Sequence, residues 1–200
     1  MMKKIKFVYF DIGGVLVDHV LALKKIAKQL EISEERTIAL FHEYCDKFDR
    51  GVLSWSSFEN IFYDKLNISN KLEKSLVEFF VDNFGVIQET HDLINEIKSS
   101  VDIGILSNVA EETFRLIRLK NLIPDIDYKT IVKSAEIKLI KPEKKIFDYA
   151  FKQVNVLPQE ILFVDDSEVN VEMARSLGWN AVLFDTQNPA ISIKEIKSIL

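Results

Sequence analysis

The chain has 200 residues, 48% hydrophobic and 28% charged, a balance typical of a globular protein with one α/β domain or a core domain and a smaller insertion. Its net charge of −5 argues against nucleic acid as the main partner, although a local phosphate site needs only one or two cations. No run approaches the ~18 apolar residues of a membrane span. Residues 1–6 lead into the first predicted strand without a cleavage-site pattern, so we expect a cytoplasmic protein with neither signal nor anchor.

The first predicted element is a short buried strand over residues 7–10, followed at once by Asp11 and by two glycines, Gly13 and Gly14. An aspartate at the mouth of a buried strand costs free energy unless it is paired or used in chemistry. Glycines let the backbone turn sharply and approach a ligand closely. The pattern favours a carboxylate nucleophile, and the alternative is an aspartate that caps a helix.

Residues 19–86 show helical periodicity and no convincing strand, with helices predicted over 20–30, 34–48, 58–66 and 72–84. Ten of the 21 aromatic residues lie between 41 and 84, which indicates the core of a small helical bundle. An alternative is that one or two of them, near Trp55 or Phe58, face a substrate groove. Ser56 and Glu59 match a capping box for the third helix. Cys45, the single cysteine, is predicted to be a core thiol.

Three further apolar runs, over 103–106, 161–164 and 181–184, alternate with helical patterns over 90–99, 111–121, 143–154 and 167–177. Ser167 is the predicted N-cap of the last of these helices, and Gly178 its C-terminal stop. Continuous apolar strands that alternate with helices predict a parallel, doubly wound sheet. Polar residues follow two of these strands, Ser107-Asn108 and Asp165-Asp166. Ligands bind beyond the carboxyl ends of such strands, so we expect these residues to form one site with Asp11.

Four motifs in order, Asp11-Ile12-Gly13-Gly14-Val15, Ser107-Asn108, Lys141-Pro142 and Asp165-Asp166, resemble those of the haloacid dehalogenase-like hydrolase superfamily. The resemblance covers nearly the whole chain. It implies a Rossmann-like parallel sheet with helices on both faces, formed by residues 1–18 and 87–200, and an inserted α-helical bundle cap formed by 19–86. The string around Asp11 is most similar to the branch that holds sugar-phosphate phosphatases and the phosphatase domain of soluble epoxide hydrolases.

The resemblance also implies roles for individual residues. Asp11 would attack phosphorus and become an aspartyl phosphate. Ser107 and Asn108 would donate hydrogen bonds to the phosphoryl group, and Lys141 would neutralise its charge. Lys138 and Lys141 are both candidates for the lysine that binds the phosphoryl group. Pro142 favours Lys141, because the family pairs its lysine with proline.

A magnesium site is implied by the same resemblance. Mg²⁺ favours hard oxygen ligands, which Asp11, the backbone carbonyl of Gly13 and a carboxylate of the fourth motif would supply. Asp166 is the first choice for that carboxylate, and Asp165 is a supporting residue or a further ligand. Two adjacent acids repel each other, and a bound cation resolves that repulsion.

The function implied is a Mg²⁺-dependent phosphatase of small phosphate monoesters, with a small, sugar phosphate-like metabolite as its partner. Gly13 departs from the family pattern, because many family phosphatases carry there a second aspartate that acts as general acid and base. Asp18 is a candidate substitute, although a surface or hinge position suits it better. Two alternatives stay open: a hydrolytic 2-haloacid dehalogenase, whose halide leaves without an acid, and a catalytically weak binding or regulatory module.

Overall fold

The fold is an α/β sandwich, seen in a computed structural model that describes residues 4–69 and 72–200. Residues 1–3, which were predicted to lead into the first strand, and residues 70–71 lie outside the described part. The strands are β1 (Phe7–Phe10), β2 (Val17–Asp18), β3 (Gly85–Val86), β4 (Asp102–Ser107), β5 (Thr130–Lys133), β6 (Ile161–Asp165) and β7 (Asn180–Leu183). The helices are α1 (Val20–Gln29), α2 (Glu34–Asp49), α3 (Trp55–Lys65), α4 (Leu76–Asp82), α5 (Gln88–Ile97), α6 (Glu111–Leu119), α7 (Ser134–Ile137), α8 (Lys144–Lys152), α9 (Glu168–Ser176) and α10 (Pro189–Ile199).

Five strands form one parallel sheet in the order β5-β4-β1-β6-β7. The side chains of β1 alternate between two apolar cores, with Val8 and Phe10 in one and Phe7 and Tyr9 in the other. Residues of α5, α6 and α10 pack in the first core, and residues of α8 and α9 pack in the second. Because the central strand is covered on both faces, its apolar run is continuous, as the sequence predicts. The predicted fold class is confirmed.

The helical segment α1–α4 lies between β2 and β3, which pair antiparallel where the chain leaves the sheet and returns. Its centre is an aromatic cluster in which the Phe41 ring lies 5.0–5.8 Å, centroid to centroid, from Trp55, Phe58, Phe62 and Phe80. Aromatic pairs at such separations stabilise a core beyond their area burial. The domain boundaries at 18/19 and 86/87 stay a prediction.

Several local predictions are wrong. The third helix begins at Trp55, and its N-cap is Ser54, whose side chain accepts a hydrogen bond from the Ser57 amide. The capping box predicted for Ser56 and Glu59 therefore does not form. Cys45 is exposed and not a core thiol.

The end of α9 agrees with the prediction, and its beginning agrees in position only. Gly178 has φ +82° and ends the helix. Ser167 stands at the N-cap position, but its side chain makes no capping hydrogen bond. Along residues 4–69 and 72–200, no helix has both the length and the apolar character needed to cross a bilayer.

Candidate active site

Three neighbouring strands bring the sequence motifs together. β4, β1 and β6 are adjacent in the sheet, and their carboxyl ends carry Ser107, Asp11 and Asp165. All three residues are buried, with 1%, 8% and 0% of their surface exposed. The expectation that these residues lie at one edge of the sheet is confirmed by the strand order.

Lys141 places a positive charge beside the carboxylates at the carboxyl ends of these strands. Its Nζ lies 3.0 Å from Asp11 Oδ2 and 2.5 Å from Asp165 Oδ2, and 1% of its side chain is exposed. The Asn108 side chain holds the backbone of Lys141, because its Oδ1 accepts from the Lys141 amide at 2.8 Å and its Nδ2 donates to the Lys141 carbonyl at 3.0 Å. Lys138, the competing lysine, is exposed. Asn108 thus positions Lys141 and keeps one Nδ2 proton for a ligand.

The two carboxylates of the fourth motif have different surroundings. Asp165 Oδ2 accepts from Lys141, and its Oδ1 accepts from the Ser167 amide and from Asn170 Nδ2, each at 2.9 Å. The Asp166 carboxylate lies over Gly14, where a Cβ atom would stand 1.9 Å from Asp166 Oδ2. Gly14 also has φ +72°, so glycine is required at that position for two reasons.

Carboxylate oxygens of Asp11, Asp165 and Asp166 lie within 4.8 Å of one another. Burial raises the pKa of Asp11 to about 7, although Lys141 opposes the rise, and the charges of Asp165 and Asp166 add to it. Burial, and then the charge of Asp165, raises the pKa of Asp166 to about 6. A crowded set of hard oxygen donors, in which Lys141 pairs with Asp11 and Asp165 but not with Asp166, fits a divalent metal ion such as Mg²⁺.

A cavity of about 190 Å³ lies between this edge of the sheet and the helical segment. Its floor includes Gly13, Ser107 and Asn108, and most of its remaining wall is apolar. The aromatic residues in the wall are Phe48, Trp55, Phe80 and Phe84. Trp55 therefore faces the cavity, as one interpretation of the sequence expected, whereas Phe58 is fully buried in the aromatic cluster.

Two ionisable residues of the cavity wall, His19 and Asp49, were not singled out as site residues from the sequence. The His19 Nδ1 atom lies 3.1 Å from the point where a side chain at Gly13 would begin. Asp49 is the last residue of α2, and a negative charge is unfavourable at the negative, C-terminal end of a helix dipole. This unfavourable position was the one weak signal of its role in the sequence. Asp18, the suggested substitute acid, accepts from the Val20 amide at 3.0 Å and does not line the cavity.

Comparison with known proteins gives two full-length relatives of different activity. The chain is 25% identical over 209 residues to D-ribitol-5-phosphate phosphatase of Bacteroides thetaiotaomicron, covering 98% of each chain. It is 23% identical to (S)-2-haloacid dehalogenase 1 of Pseudomonas sp. (strain CBS-3), covering 94% of this chain and 87% of that protein. It also matches acyl-CoA dehydrogenase family member 10 of Mus musculus, with 28% identity over 100 residues, but that match spans 9% of the mouse protein.

A solved structure shares the fold. It is a haloacid dehalogenase family enzyme of Bacteroides thetaiotaomicron in complex with magnesium and inorganic phosphate, with a TM-score of 0.70 and 22% identity over 91% of this chain and 95% of that one. The model of the haloacid dehalogenase-like hydrolase family matches residues 5–178. This match includes all four motifs, and with them Asp11, Lys141 and Asp165. The chain is therefore a hydrolase and belongs to the haloacid dehalogenase-like hydrolase family.

Proposed function

We propose that this hydrolase is a Mg²⁺-dependent phosphatase of small, sugar phosphate-like monoesters, with residues 19–86 as its cap. The observation that carries the proposal is the contact of Lys141 with both Asp11 and Asp165 beside a third carboxylate, Asp166. A nucleophile that meets a phosphoryl group needs this combination, because the charge on the phosphoryl oxygens must be neutralised as the nucleophile attacks.

In the proposed reaction, an Asp11 carboxylate oxygen attacks phosphorus while the ester P–O bond breaks and the alcohol oxygen leaves. Lys141 lies 3.0 Å from Asp11 and would neutralise the phosphoryl charge, with hydrogen bonds from Ser107 and Asn108. Water then cleaves the aspartyl phosphate and returns the Asp11 carboxylate.

The residues that would hold Mg²⁺ are Asp11, the Gly13 carbonyl and Asp166, with Asp165 as a supporting or further ligand. When bound, Mg²⁺ supplies positive charge to the phosphoryl oxygens. Asp165 already accepts three hydrogen bonds, from Lys141, Ser167 and Asn170, which favours Asp166 as the carboxylate that binds directly. The magnesium and phosphate in the related Bacteroides structure support a site of this kind.

A 2-haloacid dehalogenase is the second candidate, and the mostly apolar wall of the cavity favours it, because a haloalkyl group needs no polar partner. The three clustered carboxylates weigh against it, since displacement of halide by Asp11 requires no metal ion. The phosphatase is therefore preferred.

The test is an assay of the purified protein on phosphate monoesters with and without Mg²⁺, followed by an assay on 2-haloacids. Asp11→Asn keeps the shape of the side chain and removes the nucleophile, so we expect turnover and trapping by beryllium fluoride to be lost. Asp18→Asn, a change of the same kind at the β2 position outside the cavity, is the matched control and should stay active. Halide release without phosphate release, or full activity of Asp11→Asn, would overturn the proposal.

A further inference from the structure

Gly13 leaves the proposed phosphatase without the aspartate that, by the resemblance described above, many phosphatases of the family use as general acid. An alkoxide is a poor leaving group, and a positioned acid typically accelerates its departure by ~10²–10⁴-fold. Such an acid must face the phosphoryl group from the side opposite Asp11, which is the side of the cavity and the helical segment. The cavity wall there contains few polar side chains, and Asp49 is the one that bears a carboxyl group.

The two residues that follow Asp49 fix its position in the cavity wall. Arg50 pairs with Glu143, which stands two residues after Lys141. Gly51 has φ +63° and packs so closely on the Ala135 carbonyl that a Cβ would lie 2.7 Å from that oxygen. The end of α2 is thereby fixed to the part of the chain that carries Lys141.

The Asp49 carboxyl has no partner of its own. It is half-buried, and within residues 4–69 and 72–200 it makes no hydrogen bond and no ion pair. The Asp49 carboxyl therefore has no bond to break before it meets a ligand in the cavity that it lines. It borders the same cavity as Ser107 and Asn108, the residues proposed to bind phosphate.

We propose that Asp49 is the general acid and base that replaces the residue missing at Gly13, an inference that rests on the proposed phosphatase function. As the Asp11–phosphorus bond forms and the ester P–O bond breaks, the Asp49 carboxyl gives its proton to the leaving oxygen. The Asp49 carboxylate then takes a proton from the water that attacks phosphorus, and the Asp11–phosphorus bond breaks to release inorganic phosphate. Both Asp11 and Asp49 return to their starting states.

The charges around Asp49 suit this role. Burial raises the pKa of Asp49 to about 7; Lys141 opposes the rise and Asp46 adds to it. A large share of the carboxyl therefore holds a proton near neutral pH, and the same group can take one back. Cys45 and His19 are the other titratable groups of the wall. Burial lowers the pKa of His19, so its imidazole carries little proton to give at neutral pH, and Asp49 is preferred.

The test compares kcat/KM for a primary alkyl phosphate and for p-nitrophenyl phosphate, whose leaving group departs as a stable anion. Asp49→Asn should lower the alkyl value by ~10²–10⁴-fold and the aryl value by less than ~10-fold. The ratio of the two values in the wild type should fall as pH rises above about 7 and should lose that dependence in the variant. The ratio cancels the titration of groups that both substrates share.

Asp64→Asn is the matched control, because it makes the same change at an exposed carboxylate of the neighbouring helix α3, and Asp64 is not among the charges that act on Asp49. It should leave the alkyl-to-aryl ratio near that of the wild type. Equal losses on both substrates in Asp49→Asn, or no loss, would overturn the inference while the phosphatase function stands. If His19→Asn, and not Asp49→Asn, selectively lowered kcat/KM for the alkyl phosphate, the inference would also be overturned and the phosphatase function would stand. A wild type that cleaves neither ester would overturn both proposals.

Discussion

Replacing Lys141 by methionine tests the buried ion cluster directly. The Lys141 ammonium lies 3.0 Å from Asp11 Oδ2 and 2.5 Å from Asp165 Oδ2, and 1% of the lysine side chain is exposed. Methionine fills a similar volume but leaves the two acids without their cation. Breaking a buried pair from one side typically costs about 3–5 kcal/mol, because an uncompensated charge stays behind. In a chain of this size that loss corresponds to a fall in Tm of about 6–20 °C.

The assay is thermal unfolding of metal-free wild type, Lys141→Met and Lys138→Met, followed by calorimetry or circular dichroism. Lys138 is exposed, so its replacement should change the free energy of unfolding by no more than about 0.5 kcal/mol. Adding Mg²⁺ should raise the Tm of Lys141→Met, because a ligand that binds only the folded state stabilises it. If the two variants melt at the same temperature, Lys141 does not stabilise the cluster and the reasoning is refuted.

Four further outcomes follow from the site. Gly14→Ala should destabilise the fold by about 1–3 kcal/mol in urea unfolding, because its Cβ would meet the Asp166 carboxylate at 1.9 Å and its φ is +72°. Asp166→Ala should raise the Mg²⁺ concentration for half-maximal activity by more than about 10-fold, and an unchanged Mg²⁺ titration would remove Asp166 as a ligand. Gly13→Asp should be less stable than Gly13→Asp combined with His19→Ala, because a Cβ at position 13 would stand 3.1 Å from His19 Nδ1. Asp49→Asn should raise the Tm at pH 8, by the equivalent of at least about 1 kcal/mol, and change it little below about pH 4. Folding raises the pKa of Asp49 from 3.8 to about 7, so the folded state holds this proton more tightly than the unfolded state does. The wild type therefore loses stability as the pH rises from about 4 to about 7.

The strands β1, β4, β6 and β7 were predictable because each contains a continuous apolar run, and the runs of β1, β4 and β6 are buried on both faces of the sheet. β5 and β7 are the two edge strands of the five-stranded sheet, and β5 was missed because its apolar run is only Ile131-Val132, of which Val132 alone is buried. A run of two apolar residues is too short to predict a strand. The site residues Asp11 and Asp165 were found because they end buried strands, where an acid is costly.

The helical segment was harder to predict because contacts distant in sequence determine its details. Trp55 begins α3 because its amide donates to Glu112 and its indole donates to Thr113, and neither contact has a local signal. Cys45 was predicted to be a core thiol because a free cysteine in a helix is usually buried, but it lines the cavity, which leaves the thiol exposed. Asp49 was missed for the same reason, since its role depends on what lies across the cavity.

The Trp55–Thr113 hydrogen bond, 2.8 Å long, has a practical consequence for kinetics. The chain has two tryptophans, and Trp179 packs in the apolar core against Tyr9, Phe147 and Phe163 and does not line the cavity. Of the two, only Trp55 reports on the contact between α3 and α6 at the cavity, which we call the seam. With Trp179→Phe in the background, intrinsic fluorescence becomes a single-site probe of the seam, and stopped-flow traces can time its opening separately from phosphate release.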